Sequence, residues 1–254
     1  GTYSERTKYG LISVIIHEVG HFWFPMMINT DERRYAWMDE GVNTFINGYS
    51  TEDWFGPQEK NENDPGEFAF LMRVAQGVPI HTPPDQVPND MLGLLQYSKP
   101  AVGLTLLRET ILGPERFDFA FKEYMNLWKF KSPQPADFFR TIENAAGADL
   151  AWFWRGWFLE SYILDQAISG ISKDRKRIRF ENNTEMVMPL HFQVTFTDGS
   201  VKDFKKPVEI WFQTDQVIIN IPGEKLIASA VIDPQKKFPD NNRANNSWSV
   251  SETK

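Results

Sequence analysis

The sequence predicts an α+β multidomain chain in which a mainly helical portion is followed by a small antiparallel β-sandwich. Three observations carry that prediction. Over roughly the first two-thirds, apolar residues recur at helical spacing, and several segments open with Pro or Asp, as helix starts prefer. Near residue 163 the pattern changes to short alternating runs bounded by turn formers. At 254 residues the chain is long enough to bury one large core or two ordinary ones. The expected division is a helical portion over 1–163, a β-sandwich over 164–238 and a loose polar tail over 239–254.

In chain order, "YGLISVIIHEVGHFWF" places Leu11, Ile15, Val19 and Phe22 on one helical face, and Pro25 stops that helix because an interior proline costs a hydrogen bond. A second helix fits Tyr35 to about Ser50. The Pro-, Asn-, Asp- and Gly-rich stretch that follows has room for one short helix, and its acidic run "EKNENDPGE" reads as a solvated loop. "KPAVGLTLLRETIL", "PERFDFAFKEYMNLW", "PADFFRTIENAAG" and "DLAWFWRGWFLES" read as successive helices with short loops, with Trp152, Trp154 and Trp157 serving as core. In the last third, "KRIRFENN", "PLHFQVTFTDGSVKDF", "VEIWFQ", "QVIINIPG" and "IASAVIDP" read as strands, with "TDGS" as a hairpin turn.

Composition narrows the function. Net charge is −7, which argues against nucleic acid or an anionic membrane as partner, since both need a basic footprint. No apolar run approaches the roughly 18–20 residues of a membrane span. There is no cysteine, so any metal must be held by His and carboxylate. Cysteine usage does not choose a compartment. Gly1 running directly into helical sequence reads as a cut within a longer chain.

The chemistry is concentrated in "HEVGH", residues 17 to 21. Residues four apart on a helix lie about 40° apart around the axis and about 6 Å along it, so His17 and His21 can share one cation. Glu18 points about 100° away from His17 and suits a water at the metal's open position better than ligation. Read alone, the motif also fits a buried structural helix. Gly20 costs a helix about 1 kcal/mol against alanine, which signals close approach by another element without identifying it. A catalytic zinc has three protein ligands and a water, and Glu40 in "WMDEGVNTF", one turn into the next helix, can face the first helix across a short connection.

The constellation of HEVGH, eighteen residues, then Glu40 and Gly41 resembles the aminopeptidase N and leukotriene-hydrolase family of zinc metallopeptidases, the gluzincins. The resemblance implies a thermolysin-like catalytic portion, one catalytic Zn2+ held by His17, His21 and Glu40, Glu18 as general base and a peptide as substrate. "YSKPAVGLTLLRETILGPERF" matches the segment in which the family carries a catalytic tyrosine two residues before a lysine, here Tyr97. Without that match Tyr97 is an ordinary helix-start aromatic. "DLAWFWRGWF" and the terminal β-domain follow the family order, so the likeness spans nearly the whole chain. Two departures stand out. Val19-Gly20 replaces the Ala or Leu-Ala found before the second histidine, and Pro25-Met26 replaces a Gly-Asn pair.

The implied activity is release of N-terminal residues from peptides. A gluzincin endopeptidase and a non-catalytic zinc-containing scaffold or peptide-binding module are the alternatives, and intact Glu18 argues against the scaffold. The family's Gly-x-Met-Glu-Asn-like segment, whose glutamate grips the substrate amine, is not found in "GTYSERTKYGLISVII". The chain therefore reads as a C-terminal portion lacking the N-terminal domain. As such it is expected to bind zinc while cleaving aminoacyl reporters poorly. His81 reads as a solvated loop histidine, His191 as a structural strand residue, and Asp39 either as a group orienting a histidine or as a solvated helix carboxylate.

Overall fold

A Ser4 hydroxyl that accepts the Thr7 N–H starts the first helix, α1 (Glu5–Gly20), and Glu5 adds a negative charge in the first turn, where the helix dipole favours it. The computed structural model describes residues 3–56 and 63–250. After α1 come a widened π-type turn (Phe22–Met27), the short α2 (Glu32–Ala36), a second widened turn (Trp37–Gly41) and α3 (Val42–Phe55). The Pro-rich stretch holds α4 (Ala69–Val74) and two 3-10 turns. A third widened turn (Gly93–Ser98) leads into α5 (Lys99–Leu106), followed by α6 (Pro114–Trp128), α7 (Pro135–Ala146) and α8 (Ala151–Trp154).

The starts and stops obey local chemistry. α6 and α7 each open with proline, whose missing N–H costs nothing in a first turn. α7 adds a reciprocal capping box between Gln134 and Asp137 and ends at Gly147, which takes the left-handed conformation (φ 61°) that glycine adopts without strain. The helical core is aromatic. Trp37, fully buried, packs between Phe138, Phe139 and Phe158 at centroid distances of 4.9 to 5.8 Å. Trp154 and Trp157 are buried in the same cluster.

Two antiparallel sheets follow. β1 (Gln166–Ile171), β2 (Arg177–Asn182) and β5 (Gln216–Asn220) form one, in the order β1-β2-β5. β3 (Leu190–Phe196), β4 (Val201–Lys206), β6 (Ile227–Ile232) and β7 (Ser247–Ser249) form the other, in the order β4-β3-β6-β7. β3 alternates strictly, its buried Leu190, Phe192, Val194 and Phe196 facing the same apolar cluster as Ile178 and Phe180 of β2.

The structure departs from the sequence reading at several points. "VEIWFQ" forms a 3-10 turn, Val208–Trp211, because Val208 and Trp211, three apart, both bury and the Trp211 indole N–H bonds the Met188 carbonyl. Up to Ser249 the final segment is not loose. β7 pairs with β6, and the Asn246 amide donates to the Gln166 carbonyl and to Asp240. α1 ends at Gly20, before Pro25, with Phe24 extended. Of the acidic run "EKNENDPGE", residues 59–62 lie outside the described residues. The apolar face of α1 is not buried among them: Leu11, Ile15, Val19 and Phe22 are all exposed. No helix among the described residues is long and apolar enough to cross a membrane.

Candidate metal centre

α1 and α3 pack together, and the turn Trp37–Gly41 delivers Glu40 to the last turn of α1. His17 Nε2 lies 3.1 Å from Glu40 Oε2 and 3.1 Å from His21 Nε2, and His21 Nε2 lies 3.5 Å from the same oxygen. A tetrahedral zinc with bonds of about 2.0–2.1 Å holds its ligand atoms about 3.3–3.4 Å apart. The triangle is the right size for one such ion.

The other nitrogen of each ring decides what faces the triangle's centre. His21 Nδ1 stands 2.8 Å from the Phe24 carbonyl, which can only accept, so Nδ1 carries the proton. Asp39 Oδ1 stands beside the same nitrogen at 2.9 Å without receiving a well-aimed hydrogen bond. His17 Nδ1 stands 2.8 Å from Asn47 Oδ1, also an acceptor. Both Nε2 lone pairs therefore point at each other and at a carboxylate oxygen. Three electron-rich atoms at such separations repel unless a cation lies between them, so the donor set fits a metal. Among the described residues these three form the group able to hold one, and Glu18 is not in it.

Burial and charge shape the surroundings. Burial works against the charged form of His21, but the Phe24 carbonyl and then Asp39 and Glu40 outweigh it and raise its pKa. Asp39 is almost wholly buried; burial, then the charge of Glu40, pushes its carboxyl up to about 7. Of the two readings left open for Asp39, the solvated carboxylate does not hold. The Tyr97 ring stacks on His17 at 5.9 Å between centroids. Burial, followed by hydrogen bonding to Glu40 and the charges of Glu40, Asp39 and Glu18, pushes its hydroxyl well above the ordinary tyrosine range. Glu18 is exposed and, with His17, lines a cavity of about 370 Å³ that runs along α1 and α3 past Ser13, Thr44 and Glu52.

The sequence reading missed two residues here, Asn43 and Asn47. Asn43 is fully buried and donates to the His17 carbonyl at 2.9 Å, while Asn47 donates to Asn43 at 3.2 Å. Gly20 was their only signal: a Cβ there would lie 1.9 Å from Asn43 Oδ1. His81 is a correction. It is half-buried beneath the Tyr35 ring with Nδ1 unpartnered, and burial lowers its pKa; a solvated role does not describe it. His191 sits in β3 with its ring edge-on to Phe238, 5.1 Å away, apart from the triad.

The fold as a whole is similar to that of Legionella pneumophila aminopeptidase A, solved in complex with aspartic acid. The TM-score is 0.62 at 17% identity, covering 94% of this chain and 27% of that one. Curated relatives include probable aminopeptidase 1 of Sulfurisphaera tokodaii, 26% identical over 208 residues (75% of this chain, 26% of the relative). Aminopeptidase 2, mitochondrial, of Saccharomyces cerevisiae is 28% identical over 145 residues (54% of this chain, 15% of the relative). The chain thus spans about a quarter or less of the length of the curated relatives it matches. The model of the peptidase family M1 domain matches residues 1–157, which include the HEVGH helix, Glu40 and Tyr97. By that match, this chain belongs to peptidase family M1.

Proposed function

We propose that the chain is part of a zinc-dependent aminopeptidase, with His17, His21 and Glu40 as metal ligands, Glu18 as general base and Tyr97 as the donor to the reacting carbonyl. The observation that carries this reading is the convergence of His17 Nε2, His21 Nε2 and Glu40 Oε2 within 3.1 to 3.5 Å. When bound, zinc supplies Lewis acidity and an acidified water.

The remaining steps fall to the chain's own residues. Glu18 stands on the exposed side of α1, free of the triad, where it takes a proton from the attacking water and returns it to the leaving amine. Tyr97, held neutral by its surroundings, keeps its hydroxyl proton and donates a hydrogen bond to the oxygen that gains charge as the carbonyl becomes tetrahedral. Its ring, stacked on His17, fixes where that donor sits relative to the ligands. Aminopeptidase action, with the free amine of a peptide as the recognised end, is supported by the family match and by the names its relatives carry.

Metal content and turnover of aminoacyl reporter amides, measured in a turnover-competent form of the protein, test these roles. Glu18→Gln is expected to retain full zinc and lose hydrolysis. Tyr97→Phe is expected to lower kcat about 10²–10³-fold with KM little changed, the size of losing one oxyanion donor. Loss of zinc in Glu18→Gln would make Glu18 a ligand or a structural group, and an unaffected kcat in Tyr97→Phe would give its role to another donor.

A further inference from the structure

The two histidines are not held alike. Behind His21 stand a backbone carbonyl and the carboxylate of Asp39. Behind His17 stands a chain of two neutral amides. Asn43 and Asn47 lie one turn apart on α3 and face α1, where Gly20 leaves room for them: a side chain there would meet Asn43 Oδ1 at 1.9 Å and Asn47 Nδ2 at 3.1 Å.

The direction of the chain can be worked out link by link. It ends on the His17 backbone carbonyl, which can only accept, so the Asn43 NH2 must point to it at 2.9 Å. That turns Asn43 Oδ1 toward Asn47, whose NH2 must therefore be the group 3.2 Å away. Asn47 Oδ1 is then the atom facing the imidazole at 2.8 Å; the Asn43 amide nitrogen, already given to the His17 carbonyl, stands farther from the same ring nitrogen at 3.5 Å, so the near acceptor sets the proton on Nδ1. The consequence falls at the far side of the ring, where Nε2 is left bare toward His21 and Glu40. A flip of either amide would set two acceptors or two donors against each other next to a fully buried Asn43.

We propose that Asn47 and Asn43 are positioning residues for the metal ligand His17, an amide relay that starts at this residue's own backbone and fixes its side chain in the Nδ1–H tautomer. The relay closes on the residue it orients: the His17 carbonyl sets Asn43, Asn43 sets Asn47, and Asn47 sets the His17 ring. Gly20 belongs to the device because it admits α3 close enough for the relay to form. The proposal rests on the metal reading only in its second half. The tautomer is a property of the metal-free protein.

The experiment is therefore run in two arms. Nitrogen-15 NMR of the metal-free protein at pH 8 reads the tautomer of the His17 ring directly, with Nδ1–H expected. A ring carrying its proton on Nε2 would overturn the relay whatever happens with zinc. Competition against a chelator then reads zinc affinity. Asn47→Ala is expected to weaken zinc about 10–100-fold, the usual cost of losing a partner behind a ligand. Gly20→Ala, which favours the helix intrinsically, is expected to weaken zinc as well, because its Cβ displaces the Asn43 amide. Unchanged affinity in both variants would overturn the positioning role. Failure of the wild-type chain to bind zinc, with His17 still in the Nδ1–H form, would sink the metal reading and leave the relay standing. If Asn47→Ala does not fold, Gly20→Ala and the wild-type tautomer decide.

Discussion

α1 and α5 both pack against α3 and are held by opposite means. All eight residues of α5 are buried, including Lys99, whose ammonium is pulled down to about 8 by that burial. Gly103 lies so close to the Trp157 indole that a Cβ would come within 2.2 Å of its nitrogen, and that nitrogen donates to the Lys99 carbonyl at 2.8 Å. None of the sixteen residues of α1 is buried. It is tied down through the amide relay, the His17–Glu40 contact and a Tyr9–Phe55 ring pair at 4.8 Å. Among the described helices longer than five residues, the one that leads into HEVGH is thus the one with no buried residue, and its attachment is largely polar. A cation bound by His17 in the last turn of α1, by His21 just after it and by Glu40 in the turn before α3 would join the two elements, so metal binding there would also stabilise the structure.

The largest effect that would sharpen this contrast is on the α5 side. Trp157→Ala removes a fully buried indole and its hydrogen bond to the Lys99 carbonyl, and is expected to cost about 3–5 kcal/mol of stability by urea unfolding. A cost near zero would mean that α5 is not held by packing. The smallest expected effect is on the α1 side. Leu11, 61% exposed, is expected to tolerate Leu11→Ala within about 0.5 kcal/mol by the same measurement. A cost of the Trp157 size would place a covering surface over α1 and erase the difference between the two helices.

What was legible in the sequence follows the same division. His17 and His21 could be picked out because helical spacing alone brings them together, whereas Glu40 was singled out by the resemblance of its spacing and of "WMDEG" to the gluzincins. α6 and α7 could be placed because Pro114 and Pro135 mark their starts chemically. The relay could not be read, because nothing in Asn43 or Asn47 says where α3 crosses α1; only Gly20 hinted at the crossing. β1 escaped because Gly170 sits where its register with β2 shifts, and β7 because Trp248 is its sole large apolar residue. "VEIWFQ" misled because alternation over four residues is also compatible with a 3-10 turn whose first and fourth side chains bury together. The exposed stripe of α1 is the reverse case: the period was visible in the sequence, but periodicity does not say what covers the face.

The convergence of His17, His21 and Glu40 on one cation is tested most directly by zinc stoichiometry after exhaustive dialysis. The wild-type chain is expected to hold one zinc per molecule, and His17→Ala, His21→Ala and Glu40→Ala each to hold little or none while keeping their helical circular dichroism. Full zinc in all three variants, or a folded wild-type chain that takes up none, would contradict it.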